Sequence, residues 1–291
     1  MTDSTLCAWP HGWLQPQWPA IAGVHALFTT RNGGVSQAPF DTFNLGDHVR
    51  DDPAAVAANR RTLTHVISST TCASEPVFLQ QVHGCDVLKL EPGAAQGLSA
   101  DACVATTPGV VCTIMVADCL PVLFAHPKWR VVAAAHAGWR GLAGTHGQGV
   151  LETTFACFVA EVQAASAQAA IKNEEICTPE SIASEMQVWL GPCIGPEAFE
   201  VGDEVRAAFC DLQPQAATCF APGQAPGKWW ADLAGLARLR LQQLGLNHIY
   251  GNDSSRQWCT VSQPARFFSH RRDAAVLGST GRMAACIWLS A

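Results

Sequence analysis

Three short stretches of the 291-residue chain end an apolar run with a side chain able to bind a metal: QQVHG at 80–84, VADCLP at 116–121 and AAAHAGWRG at 133–141. Each sets one donor (His83, Cys119, His136) beside a Gly or Pro that turns the chain. The donors lie 36 and 17 residues apart, so only the fold can bring them together. Two imidazoles and a thiolate suit Zn²⁺, and three protein ligands with a fourth position left to water is the catalytic pattern, whereas structural zinc takes four. Copper accepts the same nitrogen and sulfur donors. The competing reading is a core thiol and two unrelated strand-end histidines. Asp118 moves the balance toward a site, because a carboxylate beside a thiol at a buried turn needs a partner.

The elements that must carry these residues read as a mixed α/β chain. Residues 27–36 form a strand that breaks at Asn32-Gly33-Gly34, and Asp51-Asp52-Pro53 opens a helix running to about Ile67. From 77 to 136, VFLQQVHG, DVLKL, GVVCTIMVADC, LPVLFAH and RVVAAAH are each strand-length and rich in Val, Leu and Ile. After Gly141, the residues Val150, Leu151, Phe155, Phe158, Val159 and Val162 share one helical face. Residues 163–185 read as a variable surface segment, and 186–195 as a strand entering a turn. Helices are expected near 200–212 and 232–245, with closing strands near 266–270 and 282–289. Several strands follow one another directly, so a single α/β domain over 1–291 with a mixed sheet is expected rather than a doubly wound parallel one.

Charged residues make up only 14% of the chain and the net charge is −6, with no basic stripe, which argues against nucleic-acid and membrane-surface partners. MTDSTLCAWPHGW has neither the basic nor the apolar region of a secretory leader, and Ala102–Ala117 is too short and polar to span a bilayer. A cytoplasmic address is expected. None of the thirteen cysteines lies within three residues of another, which excludes C-x-x-C redox and zinc-knuckle sites. Most are expected to be small buried hydrophobes. G-x-S-x-G, the P-loop pattern and G-x-G-x-x-G are absent.

HAGWRG, ADCLPVLF and QVHG together resemble the YfiH family, also called the laccase-domain or multicopper polyphenol oxidase-like family. TTRNGGVS and FNLGDHVRDDPAAVAANR (29–60), GPCIGPEAFEVGDEV (191–205) and CT…FFSHRRD…GR…IWL (259–289) extend the likeness over nearly the whole chain. Two departures are visible: His270 replaces the Tyr of FFSYRRD, and 163–185 is longer than usual. The resemblance implies an α/β/β/α-type sandwich with mixed sheets and a zinc site of His83, Cys119 and His136. It also implies purine nucleoside chemistry: phosphorolysis of adenosine, inosine and methylthioadenosine, and deamination of adenosine. Copper-linked phenol oxidation and amidase-type editing of peptidoglycan precursors are further associations of the family.

A multicopper centre needs paired H-x-H motifs, and the ten histidines form none, so any copper chemistry would fall to one metal at the His–Cys–His site. The H-x-E and P-C-x-x-C of zinc deaminases are also missing. Phosphorolysis asks for a cationic seat, for which Arg31, Arg140, Arg271 and Arg272 can offer the guanidinium fork. A structural ion pair is the competing reading for Arg31 and Arg272, and bracing of the turn for Arg140. Gln81, Asn44 and Asp118 are candidate substrate contacts, and Cys193 a candidate site-lining thiol. A purine nucleoside and phosphate are the expected partners; the sequence gives no oligomeric state. Two other classes stay open: a cysteine hydrolase built on Cys119 and His136, and a zinc-stabilised binding module.

Overall fold

The computed structural model describes residues 9–71, 75–170 and 177–291, so most of the N-terminal stretch and the middle of 163–185 lie outside the described residues. A six-stranded sheet runs, edge to edge, His248–Gly251, Gln187–Leu190, Leu120–Ala125, Val132–Ala137, Ala102–Ala105 and Val87–Leu90. A four-stranded sheet runs Val24–Phe28, Met283–Leu289, Val110–Val116 and Glu75–Phe78. Both mix parallel and antiparallel pairs. A small third sheet joins Phe220–Pro222, Lys228–Ala231 and Glu200–Gly202.

Side-chain alternation sorts these sheets into layers, because successive residues of a strand point to opposite faces. In the large sheet Cys103, Leu123, Ala134 and Trp189 turn inward to meet Val77, Ile114 and Ile287 of the four-stranded one. Their neighbours Val104, Val122, Ala135 and Val188 turn outward beneath helices Val150–Ala170 and Leu233–Gln243. On the far side, Leu27, Val111 and Trp288 pack under Leu63 and Ile67 of helix Pro53–Thr70. The result is the expected α/β/β/α sandwich. Asp52 caps that last helix through a bond from Ala54 N, with Pro53 in the first turn. All six residues of the apolar face at 150–162 are buried.

Several expected elements differ. The strand expected at 27–36 is Val24–Phe28, and 29–36 is loop, with Arg31 N bonded to Arg266 O and Arg31 O taken by Thr42 N. Residues 266–269 are not a strand but a loop leading into helix His270–Leu277, which Ser269 caps. Phe267 and Phe268 are buried as an apolar pair would suggest, yet Arg272 takes the place of a neighbouring strand by donating to the carbonyls of Thr260, Val261 and Phe267. The 200–212 segment begins as strand Glu200–Gly202 before helix Asp203–Cys210, and in 163–185 the described residues are helical at 163–170 and 179–185. Among the described residues no helix is long and apolar enough to cross a membrane.

Candidate active site

The chain crosses from one sheet to the other at Ala117-Asp118-Cys119, leaving strand Val110–Val116 of the smaller sheet and entering Leu120–Ala125 of the larger. Antiparallel pairing then aligns Leu120 with Ala137 and Pro121 with His136. One step further puts Cys119 opposite Gly138, and the period of two turns Cys119 and His136 to the same, inward face. His83 arrives on the loop after strand Glu75–Phe78. The donor atoms of His83, Cys119 and His136 all lie within 4.8 Å of one another, with Cys119 Sγ 3.6 Å from His83 Nε2.

Asp101, which the sequence reading missed, builds this corner. Its buried carboxylate accepts from the backbone N–H of Val82 (3.1 Å), His83 (2.8 Å) and Gly84 (2.6 Å), and pairs with His136 Nδ1 at 2.8 Å. The histidine loop is thereby held although His83 sits at φ 62°; Asp118, at φ 87°, is the other non-glycine bent at the site. Such backbone costs roughly 1–3 kcal/mol per residue and persists where surrounding contacts fix it. Burial pushes the Asp101 carboxyl up, but its bonds from His136, Gly84 and His83 more than reverse this and keep it ionised. With Nδ1 engaged, His136 offers Nε2 to the site, the carboxylate–histidine arrangement that orients metal-binding imidazoles. Tetrahedral zinc sets its ligand atoms about 3.5 Å apart, so the donor types, the spacing and the Asp101 support all fit such an ion.

Electrostatics tie Cys119 to His136. Burial pushes the thiol up, yet the His136 charge and bonds from both histidines bring it down to about 6. Burial lowers His136, and the Cys119 thiolate and Asp101 raise it to about 9. The protein alone thus holds a thiolate–imidazolium pair at neutral pH, with sulfur in the form a metal takes.

Gly138 is required by space. A Cβ there would stand 2.7 Å from His83 Cδ2 and 3.0 Å from Cys119 Sγ. Gly138→Ala is expected to displace both donors and lower metal binding at least tenfold with little change in far-UV circular dichroism; elemental analysis of the purified variant checks it.

The three donors line a cavity of about 830 Å³, within the range of small-molecule sites. Phe78, Phe199 and Trp139 supply aromatic wall, and Gln81, Asp118 and Arg271 also line it. These three are already engaged. Gln81 donates to Met115 O and accepts from Met115 N. Asp118 accepts from Thr260 Oγ1 and from Arg271 N, while the Arg271 guanidinium reaches the carbonyls of Ala198 and Glu200.

The other expected contacts fall outside the cavity lining. Arg31 pairs with Asp41 and donates to Pro264 O, and Arg272 pairs with Asp273. Arg140 is exposed over the Trp139 ring. Asn44 is buried, accepting from Gly46 N and Arg282 N and donating to Gly46 O and Asp51. Cys193 is buried beside Asn252, and burial pushes its thiol far up, so it is an inert core thiol. In return the lining includes His48, Arg60, Gln96, His270 and Arg282, none of which was singled out as a site residue from sequence.

Two facing mixed sheets wrapped by helices, with a His–Cys–His donor set at the end of the sandwich, define an α/β/β/α protein built around one candidate metal centre. The chain belongs to the multi-copper polyphenol oxidoreductase laccase family, whose model matches residues 25–290. It is 46% identical over 279 residues to a Pseudomonas aeruginosa protein named purine nucleoside phosphorylase, covering 96% of this chain and 99% of that one. The Escherichia coli purine nucleoside phosphorylase YfiH is 46% identical over 276 residues, covering 94% and 97%. Among solved structures, a Neisseria meningitidis protein superposes with a TM-score of 0.78 at 42% identity, covering 96% of this chain and 99% of that one. YlmD from Geobacillus stearothermophilus gives 0.77 at 32% identity, covering 97% of each.

Proposed function

We propose that the chain is a zinc-dependent purine nucleoside phosphorylase acting on adenosine, inosine and methylthioadenosine, with adenosine deamination as a second activity. The observation that carries this reading is the His83–Cys119–His136 set in the wall of a cavity large enough for a nucleoside. The names of the relatives supply the substrate class. In phosphorolysis a phosphate oxygen bonds to C1′ of the ribose as the bond from C1′ to the purine nitrogen breaks. The electron pair leaves on the purine, which takes up a proton, and ribose 1-phosphate and free base result. Zinc, when bound, supplies Lewis-acid polarisation of an oxygen ligand. Asp101 holds His136 with Nε2 toward the site, Cys119 contributes its negative charge, and Phe78 and Phe199 exclude water around the base.

The test is purification without added metal, elemental analysis, and incubation with adenosine in the presence and absence of phosphate. Adenine release that requires phosphate is the expected result. A zinc-loaded protein yielding neither base nor inosine from any purine nucleoside would overturn the proposal.

The thiolate–imidazolium pair favours a second reading, a cysteine hydrolase acting on an amide. The two separate by metal and alkylation. In metal-free protein, iodoacetamide should modify Cys119 at a rate that holds through pH 7 to 8 and falls about tenfold per unit as pH drops through 6, because the thiol is then reprotonated. Zinc is expected to protect the thiol and restore nucleoside cleavage, whereas a hydrolase would work without metal. Phenol oxidation at a multicopper centre has little support: the ten histidines contain no H-x-H pair, and one donor cluster of this kind occurs among the described residues.

A further inference from the structure

The geometry points to a built seat for inorganic phosphate formed by Arg60, Arg282 and His48, in the same cavity as the metal-type donors; this rests on the phosphorolysis proposed above.

Arg60 projects from helix Pro53–Thr70 and is fixed in two places. Its Nε donates to Leu45 O at 2.9 Å, and its guanidinium lies over the Phe78 ring, 4.0 Å from the centroid. Its Nη2 is buried and ion-paired with the exposed Asp47 Oδ2 at 3.2 Å, but no acceptor stands in line with its N–H bonds. Buried donors are nearly always satisfied in folded proteins, and one left over at a cavity wall marks a place for a ligand oxygen or an ordered water.

Arg282 comes from the opposite side. Asn44 Oδ1 takes its backbone N–H at 2.8 Å, and its stem crosses Gly46, where a Cβ would stand 2.7 Å from Arg282 Cγ. Glycine at 46 is therefore what lets this side chain reach the cavity. Only Nη1 is engaged, on the carbonyls of Thr280 and Gly281, while Nε and Nη2 have no acceptor among the described residues. Burial lowers the Arg282 pKa and the charges of Cys119 and Asp118 raise it, which places the guanidinium within electrostatic reach of the donor set. His48 follows Gly46 by two residues and lines the same wall. Burial and the Arg282 charge both push its imidazole down.

Donor chemistry decides the ligand. Arg60 and Arg282 face Asp47, whose side chain is 63% exposed, and Arg282 also faces the charges of Asp118 and Cys119, but Asp118 already accepts from Thr260 Oγ1 and Arg271 N. Fork donors left unused in a cavity wall suit a compact oxyanion, and Arg is the side chain matched to phosphate oxygens. Of the arginines expected from sequence, Arg31, Arg140 and Arg272 lie outside the lining, and Arg271, which lines it with only Nη1 bonded, is exposed where Arg60 and Arg282 are half-buried.

Calorimetric titration of inorganic phosphate into the zinc-loaded protein, alongside steady-state rates with adenosine, tests the seat. Arg60→Gln and Arg282→Gln should each weaken phosphate binding and raise the phosphate KM at least tenfold, with adenosine KM changed less than twofold. Arg282→Lys, which keeps the charge and loses the fork, should fall between, and it serves if a glutamine variant does not fold. Phosphate binding lost in the variants while no nucleoside is cleaved even by the parent would leave the seat standing and overturn the phosphorolysis. Phosphorolysis with unchanged phosphate KM in all three variants would overturn the seat alone. So would a parent protein that binds adenosine 5′-monophosphate at these arginines and does not bind free phosphate.

Discussion

Cys119→Ala is expected to lower phosphate-dependent base release from adenosine by a factor on the order of 10³ or more, equivalent to about 4 kcal/mol of transition-state stabilisation. Cys119 is one of three donors, and two histidines alone fall short of the three protein ligands of a catalytic zinc centre. Its removal also takes away the negative charge that raises His136 to about 9. The fold should survive, because the strand-end neighbours Leu120 and Ala137 keep their pairing and Cys119 is only half-buried. Zinc content below one-tenth of the parent value, near-parent circular dichroism and lost activity form the expected triple result. A variant that keeps its zinc yet loses activity would instead favour the thiol acting as nucleophile.

Asp101→Ala is expected to damage both stability and metal affinity, which sets it apart from the ligand substitutions. The carboxylate is fully buried and receives three backbone N–H groups and one imidazole N–H. Alanine leaves these donors without their acceptor, at a cost on the order of 3–5 kcal/mol in unfolding free energy. The loop carrying His83 loses its anchor, and His136 loses the partner that fixes its ring, an arrangement whose loss typically lowers metal affinity 10–100-fold. Urea denaturation of metal-free protein measures the first effect and zinc titration against a chelator the second. The stabilising charge of Asp101 is present above its ordinary carboxylate range and fades as pH falls through its lowered value, so parent and variant should converge in stability only under acid conditions.

The cluster of His83, Cys119 and His136 was legible because each donor interrupts an apolar run, and a polar residue at a buried strand end asks for a reason. The mixed sheets were legible from the same runs, whereas the layer order came with the family resemblance and strand Ala102–Ala105 was not read, its four residues being too short an apolar run to stand out. Asp101 was not, because an acidic residue just before a strand reads as an ordinary turn. Arg60 was hidden for a similar reason: on an amphipathic helix it looks like part of the solvated face, and only the approach of the 44–48 loop and Phe78 makes it part of a wall. Asn44 and Arg31 drew attention as polar residues in motif segments, yet both hold loops together. The pair Phe267-Phe268 suggested a strand because burial was readable, whereas the Arg272 bonds that satisfy its backbone link residues whose contact the linear pattern does not specify.

The crossing at Ala117-Asp118-Cys119 makes the centre a report on assembly. His83 lies on the loop from Glu75–Phe78 of the smaller sheet to Val87–Leu90 of the larger, His136 belongs to the larger, and Cys119 sits where the chain passes from Val110–Val116 of the smaller to Leu120–Ala125 of the larger. A slip of one residue between Leu120–Ala125 and Val132–Ala137 would turn His136 toward the helices and dissolve the donor set. An ion captured with full affinity therefore certifies that both sheets have closed in register, and a chain arrested before that point has nothing with which to hold it.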